Sequence, residues 1–144
     1  MPGDTKQYDP KSVVVVFGFV SFHGFADGSM IEVERNEDSF TLKVGADGEG
    51  TRVRNANRSG KFTVKLMQSS ATNAELSALL AADELASNGA SMLPFMVKDN
   101  SGYSLSWAEK AWIVKPPKPS YGKEVTEREW VFEATHINIV EGGN

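Results

Sequence analysis

The sequence has no cysteine, which removes disulfides, thiolate metal centres and cysteine nucleophiles in one step. Histidine is nearly as scarce: His23 and His136 are the only two, and they form neither an HExxH pattern nor any other ligand spacing. No GxSxG elbow occurs, and the glycine-rich run at 45–50 lacks both the lysine of a phosphate-binding loop and a helix after it. Asp47 and Glu49 within that run do not follow the spacing of an EF-hand loop. There is no basic excess either. The net charge of −4 and a pI near 5.2 speak against a dedicated nucleic-acid binder. No apolar run approaches the roughly 20 residues of a membrane helix. The first residues lack the basic region and apolar stretch of a signal peptide. Together these absences predict a non-enzymatic chain with no cofactor and no metal, made in the cytoplasm and not inserted in a membrane.

What is present is organised around one apolar stretch at residues 12–22. Read with the two-residue period of a strand, Val13, Val15, Phe17 and Phe19 fall on one face and Val14, Val16, Val20 and Phe22 on the other. A strand apolar on both faces needs cover on both, either from its own chain or from a neighbouring copy. Gly18 interrupts the run and suggests a bulge or a close backbone approach.

The length of 144 residues fits a single domain spanning 1–144. Residues 1–11 are polar and carry Pro2, Gly3 and Pro10, the composition of an arm ordered by a neighbour. An Asp27-Gly28 turn leads to a strand in which Ile31 and Val33 alternate with Glu32 and Glu34. A turn at 36–39 and the alternation of Phe40, Leu42 and Val44 then read as a hairpin with it. Residues 45–60 read as a long polar loop, and 61–67 as a strand with Phe62, Val64 and Leu66 facing inward.

One helix is expected near 72–87, with Thr72 and Glu75 as a capping box, leucines 76, 79 and 80 on one face and Asn88-Gly89 as its stop. Its alanines at 78, 81, 82 and 86 would allow close approach to a sheet. A second hairpin follows over 92–114, turning at 99–102, and then a proline-rich connection at 115–123. The last strand, 125–140, places Trp130, Phe132, Ala134 and His136 on one face. Seven or eight strands, one helix and no βαβ alternation predict a mainly β protein, an antiparallel β-sandwich or barrel with one packed α-helix.

Charge is segregated along the chain. Between Asp27 and Gly50 there are seven acids against Arg35 and Lys43, whereas residues 51–73 hold five bases and no acid. Such blocks can pair inside one fold. They also suit a subunit whose acidic surface meets the basic surface of the next copy, with Arg52, Arg54, Asn55, Asn57 and Arg58 reaching between copies.

The order of these features resembles a known family. The two-faced strand, the acidic strand at 31–35, the glycine–asparagine stretch before residues 60–66, the single helix and the closing Trp130–Ala134 segment are similar to bacteriophage tail tube proteins, especially those of contractile tails. That family is similar in fold to the tube proteins of type VI secretion systems. The resemblance implies a structural virion protein whose copies form rings of six, stacked into a hollow tube through which DNA passes. It implies self-association, neighbours in sheath, baseplate and tape-measure proteins, and contact with DNA only in transit. Carried to this chain, the inter-ring loop falls on 45–60, and the acids facing the lumen on Glu32, Glu34, Glu37 and Asp38. The alternative from a different class is a monomeric β-sandwich that binds a ligand such as carbohydrate on Trp107, Trp112 or Tyr121.

Overall fold

The computed structural model describes residues 13–26, 30–86, 92–124 and 126–142. The polar amino-terminal segment 1–11, the Asp27-Gly28 turn and the Asn88-Gly89 stop lie outside the described residues. Among the described residues the fold is mainly antiparallel β with one helix, and its main sheet is rolled but not closed. Its strands are β1 (Val13–Phe17), β2 (Val20–Ser21), β3 (Ile31–Arg35), β6 (Gly60–Met67), β7 (Leu93–Asp99), β8 (Ser104–Lys115), β9 (Glu127–Ala134) and β10 (Asn138–Val140). They run in the order β2-β1-β7-β8-β9-β6-β3, with β10 also paired to β8. Strands β4 (Phe40–Val44) and β5 (Gly50–Arg54) form a separate two-stranded sheet.

The apolar stretch at 12–22 is two strands rather than one. Gly18 and Phe19 make a two-residue connection between β1 and β2, with Phe17 paired to Val20. Gly18 has φ +59°, its N–H donates to the Pro94 carbonyl at 2.8 Å, and a Cβ there would lie 2.7 Å from Leu93 Cδ1. A glycine at the first central position is the ordinary solution for so tight a turn. Val15 and Phe17 are buried and Val13 packs against the core, while Val14 and Val16 point to the outer face. Phe19, expected within the strand, sits at the turn and is 79% exposed.

Residues 31–44 do not form a hairpin. β3 pairs with β6, and β4 pairs with β5. Part of the segment expected to be a loop is therefore strand: Thr51 and Val53 alternate with arginines across a turn at 45–49, where the Gly45 N–H donates to the Glu49 carbonyl at 2.8 Å.

The inner face is a single apolar layer. Phe62, Val64 and Leu66 of β6 meet Trp130, Phe132 and Ala134 of β9, together with Phe95, Ala108 and Ile113. Two irregularities keep that layer apolar. In β8 two residues of β7, Leu93 and Phe95, span the interval between Ala108 and Ala111, so Glu109 and Lys110 are both exposed. After β9 the chain breaks at Thr135, His136 turns out to solvent rather than continuing the inner face, and Ile137 returns to the core. An extra residue in each strand restores the alternation that a straight strand would have lost. Gly60, buried between β3 and β9, admits no side chain, because a Cβ would run into the Glu34 carbonyl oxygen.

Helix α1 (Thr72–Leu85) packs Thr72, Leu76 and Leu80 on the core, with Leu79 partly buried. The capping box does not form. Ala71 is the N-cap, without a side-chain cap bond, and the Thr72 hydroxyl accepts the His23 N–H at 3.1 Å. The alanines expected against the sheet, Ala78, Ala81, Ala82 and Ala86, are exposed. Thr72 and the leucines seat the helix, and the alanines fall on its free side. In the β7–β8 turn the Asp99 carboxylate accepts the Ser101 hydroxyl at 2.7 Å and N–H at 3.0 Å. The Ser101 hydroxyl, aided by nearby backbone N–H groups, holds the Asp99 carboxyl below its ordinary pKa.

Candidate assembly surfaces

The β4–β5 hairpin leaves the body as an arm. Its register pairs Phe40 with Arg54, Leu42 with Arg52 and Val44 with Gly50, and directly paired residues share a face. One face therefore carries three apolar side chains and two guanidinium groups, with Arg52 lying 4.3 Å from the centre of the Phe40 ring. Phe40, Leu42 and Val44 are 46%, 71% and 60% exposed. An isolated two-stranded ribbon is marginal in water. This one exposes its apolar side and has no core of its own to bury it against.

The arm's root is held firmly. The Arg35 guanidinium donates to the Ile137 carbonyl at 2.9 and 3.2 Å and to Ser39 Oγ at 3.4 Å. The Asn36 N–H donates to the Ser59 carbonyl and the Asn55 N–H to the Ser39 carbonyl, at 2.9 and 2.8 Å. Asn55 Oδ1 accepts the Asn57 N–H and Asn57 Oδ1 the Ser59 N–H, both at 2.9 Å. Asn55 Nδ2 also donates to the Glu37 carboxylate.

The five residues read as one reaching loop therefore divide. Arg52 and Arg54 lie out on the arm, Asn55 and Asn57 brace its root, and Arg58 is tied to the body, its carbonyl accepting the Ile137 N–H at 2.8 Å. Arg35 was singled out by no motif. Its signal is its position, a base within the acidic stretch that is the last residue of a strand.

The four acids also separate. Glu32 and Glu34 point outward from β3, whereas Glu37 and Asp38 belong to the turn that starts the arm. Register sets Glu34 opposite Lys61, with the charged atoms 4.0 Å apart. Part of the segregated charge thus pairs within the chain, while the arginines of β5 do not meet the glutamates of β3.

Across its outer face the main sheet is divided in two. On the β9–β6–β3 side lie Glu129, Val131 and Glu133, then Lys61, Thr63 and Lys65, then Glu32 and Glu34. On the β1–β7–β8 side one row runs Val16, Met96, Trp107 and Asn138, and the next runs Val14, Lys98, Leu105 and Val140. One half is charged and the other largely apolar.

The aromatics proposed as a ligand platform do not gather. Trp107 and Trp112 are half-buried on the outer face of β8. Tyr121, 82% exposed, stands in the proline-rich segment with the Arg128 guanidinium 5.7 Å from its ring. Among the described residues no helix is long and apolar enough to cross a membrane.

A family model for the bacteriophage PhiTE tail tube protein matches residues 11–142. The chain belongs to that phage tail tube family. Structural protein ORF10 of Pseudomonas phage KPP10 is 36% identical over 150 residues, covering 100% of this chain and 87% of the relative. Solved structures with the same fold come from contractile injection systems. A chain from the sheath/tube terminator of an extracellular contractile injection system has a TM-score of 0.64 at 11% identity, over 94% of this chain and 98% of that one. One from the sheath–tube complex of such a system gives 0.63 at 10%, over 94% and 92%. A chain from the tube-terminating cap of the anti-feeding prophage gives 0.59 at 9%, over 97% and 95%. The chain is thus a structural component of a phage tail, with a fold also found in tube and terminator chains.

Proposed function

We propose that this protein is the self-assembling subunit of a contractile phage tail tube, with six copies in each ring and rings stacked around a lumen that conducts DNA. The observation that carries this reading is the β4–β5 arm, whose Phe40, Leu42 and Val44 stand exposed among the described residues, with only the Arg52 guanidinium over the Phe40 ring. An apolar face of that kind, rimmed by arginines, is made for a neighbour. Contact between an arm on one side of a subunit and a different surface of the next is heterologous, and heterologous contacts build rings or filaments.

In this reading Glu32 and Glu34 line the lumen with the rest of the charged half-face, where net negative charge keeps DNA phosphate from adhering in transit. Glu37 and Asp38 serve the arm's root. The sheath surrounds the tube, with baseplate and tape-measure proteins as further neighbours, and the chain catalyses nothing. It is made in the host cytoplasm and resides in the virion. The names of the related chains, a sheath–tube complex and a sheath/tube terminator, support the partnership with sheath.

Electron microscopy of the purified protein over a range of concentration and salt tests this. Hollow tubes or stacked rings are expected. A monodisperse monomer under every condition would count against self-assembly.

A further inference from the structure

We propose that the arm of one subunit seats on the apolar half of the outer sheet face, β1–β7–β8, of a second copy, tip toward Lys98 and root toward Glu109. The inference rests on the self-assembly reading above and identifies the surface that receives the arm.

The receiving face is defined by register. Val16, Met96 and Trp107 form its central row, Val14, Lys98 and Leu105 the row on one side, and Pro94 and Glu109 lie on the other. Beside Met96 and Trp107 runs an open groove of about 340 Å³, in which Glu109 is the one ionisable lining residue. The patch thus has an apolar centre with Lys98 at one end and, at the other, Glu109, which lines the groove while Lys110 stands exposed beside it.

The arm repeats this pattern with the opposite sign. Along its apolar face come Leu42 with Arg52, then Val44 with Gly50, then the tip with Asp47 and Glu49. Rows on one face of a strand pair recur every second residue, about 7 Å apart, so both surfaces carry the same spacing. Laid together, Arg52 meets Glu109, Val44 meets Met96 and Trp107, and the acidic tip meets Lys98. Turning the arm end for end would set Arg52 against Lys98 and the tip acids against Glu109, a juxtaposition of like charges. Orientation is therefore fixed by charge and affinity by the apolar centre. Among the described residues both surfaces are open: Leu42 and Val44 are exposed and Trp107 is only half-buried.

The absence of cysteine makes a direct test available. A Val44→Cys/Met96→Cys protein, polymerised and then mildly oxidised, is expected to give a ladder of covalent multimers on a non-reducing gel. A Val44→Cys/Glu34→Cys protein is expected to give none. Tubes of normal length without linkage at Met96 would overturn this seat while leaving self-assembly intact, and would point to another occupant of the face, such as sheath. Failure of the wild type to polymerise would remove the assembly reading and this one with it. Charge exchange gives a second test that changes no core residue. Glu109→Arg is expected to raise the concentration needed for polymer about tenfold, and Arg52→Glu added to it to restore assembly. A double mutant no better than Glu109→Arg would overturn the pairing.

Discussion

The rings of Phe62 and Phe95 stack with centroids 4.2 Å apart and planes 20° from parallel, although β8 and β9 lie between their strands in the sheet order. Such contact is possible only because the sheet rolls until β6 and β7 face each other. Phe17 and Phe132, from β1 and β9, also meet across two intervening strands, tilted 59° with centroids 5.0 Å apart. Both members of the Phe62–Phe95 pair are fully buried. Phe62→Ala or Phe95→Ala should each cost about 3–5 kcal/mol through transfer and cavity terms. The double mutant should cost less than the two added together, because the second truncation enlarges an existing cavity. Urea unfolding of the monomeric protein measures all three. Additive losses would mean that the rings contribute independently and that the stack does not hold the roll.

Thr72 carries a smaller but sharper expectation. Its hydroxyl accepts the His23 N–H, and the side chain is 1% exposed. Thr72→Val keeps the volume and leaves that N–H without its acceptor, which should cost about 1–3 kcal/mol. Thr72→Ser keeps the hydroxyl and should retain most of the stability that valine loses. Equal losses in the two variants would assign the effect to packing of the methyl group.

Thr72 also shows where sequence reasoning reaches its limit. The helix and its core leucines follow from spacing, but whether a threonine caps the helix or serves another segment depends on where His23 lies in three dimensions. The antiparallel class, the β7–β8 hairpin and the inner faces of β6 and β9 were legible because apolar alternation determines them locally. The β3–β4 pairing was misread for the converse reason. Adjacent strands with a turn between them suit a hairpin, and nothing local says that Glu34 pairs with Lys61 instead. A signal for β5 was present in the alternation of Thr51 and Val53 with arginines, outweighed by the glycines beside it. The division of the outer face could not be read at all, since it depends on which strands become neighbours.

Reversing the charge of Arg52, Arg54 and Arg58 together to glutamate should abolish polymers and leave the monomer folded. The structure refines which part of that variant acts. Arg52 and Arg54 stand on the exposed face of the arm, so the double reversal should have nearly the full effect, while Arg58→Glu alone should have little. Sedimentation measures polymer and circular dichroism the fold. The root provides a contrast. Asn57→Ala removes the acceptor of the Ser59 N–H and should weaken assembly by loosening the arm's aim while leaving its charge unchanged. Polymers of normal length from the Arg52→Glu/Arg54→Glu protein would take the arm's charge out of the assembly mechanism.

The charged half-face makes the last prediction. Glu32, Glu34, Glu129 and Glu133 share it with Lys61 and Lys65, so acids outnumber bases before any neighbour is added. If this face lines the lumen, ring symmetry multiplies the imbalance into a continuous negative wall, which repels phosphate at the distances a bore imposes. Glu32→Lys with Glu34→Lys changes the sign of the half-face without touching the arm or the apolar patch. Tubes should still form at the wild-type concentration, since neither substitution lies on the proposed contact. Tubes assembled with short duplex DNA should then retain it, and release it as salt rises, because binding through phosphate neutralisation falls steeply with ionic strength. Wild-type tubes should retain none. Charge-reversed tubes that assemble normally and hold no DNA would place this face away from the bore, and tubes that fail to assemble would place it between subunits.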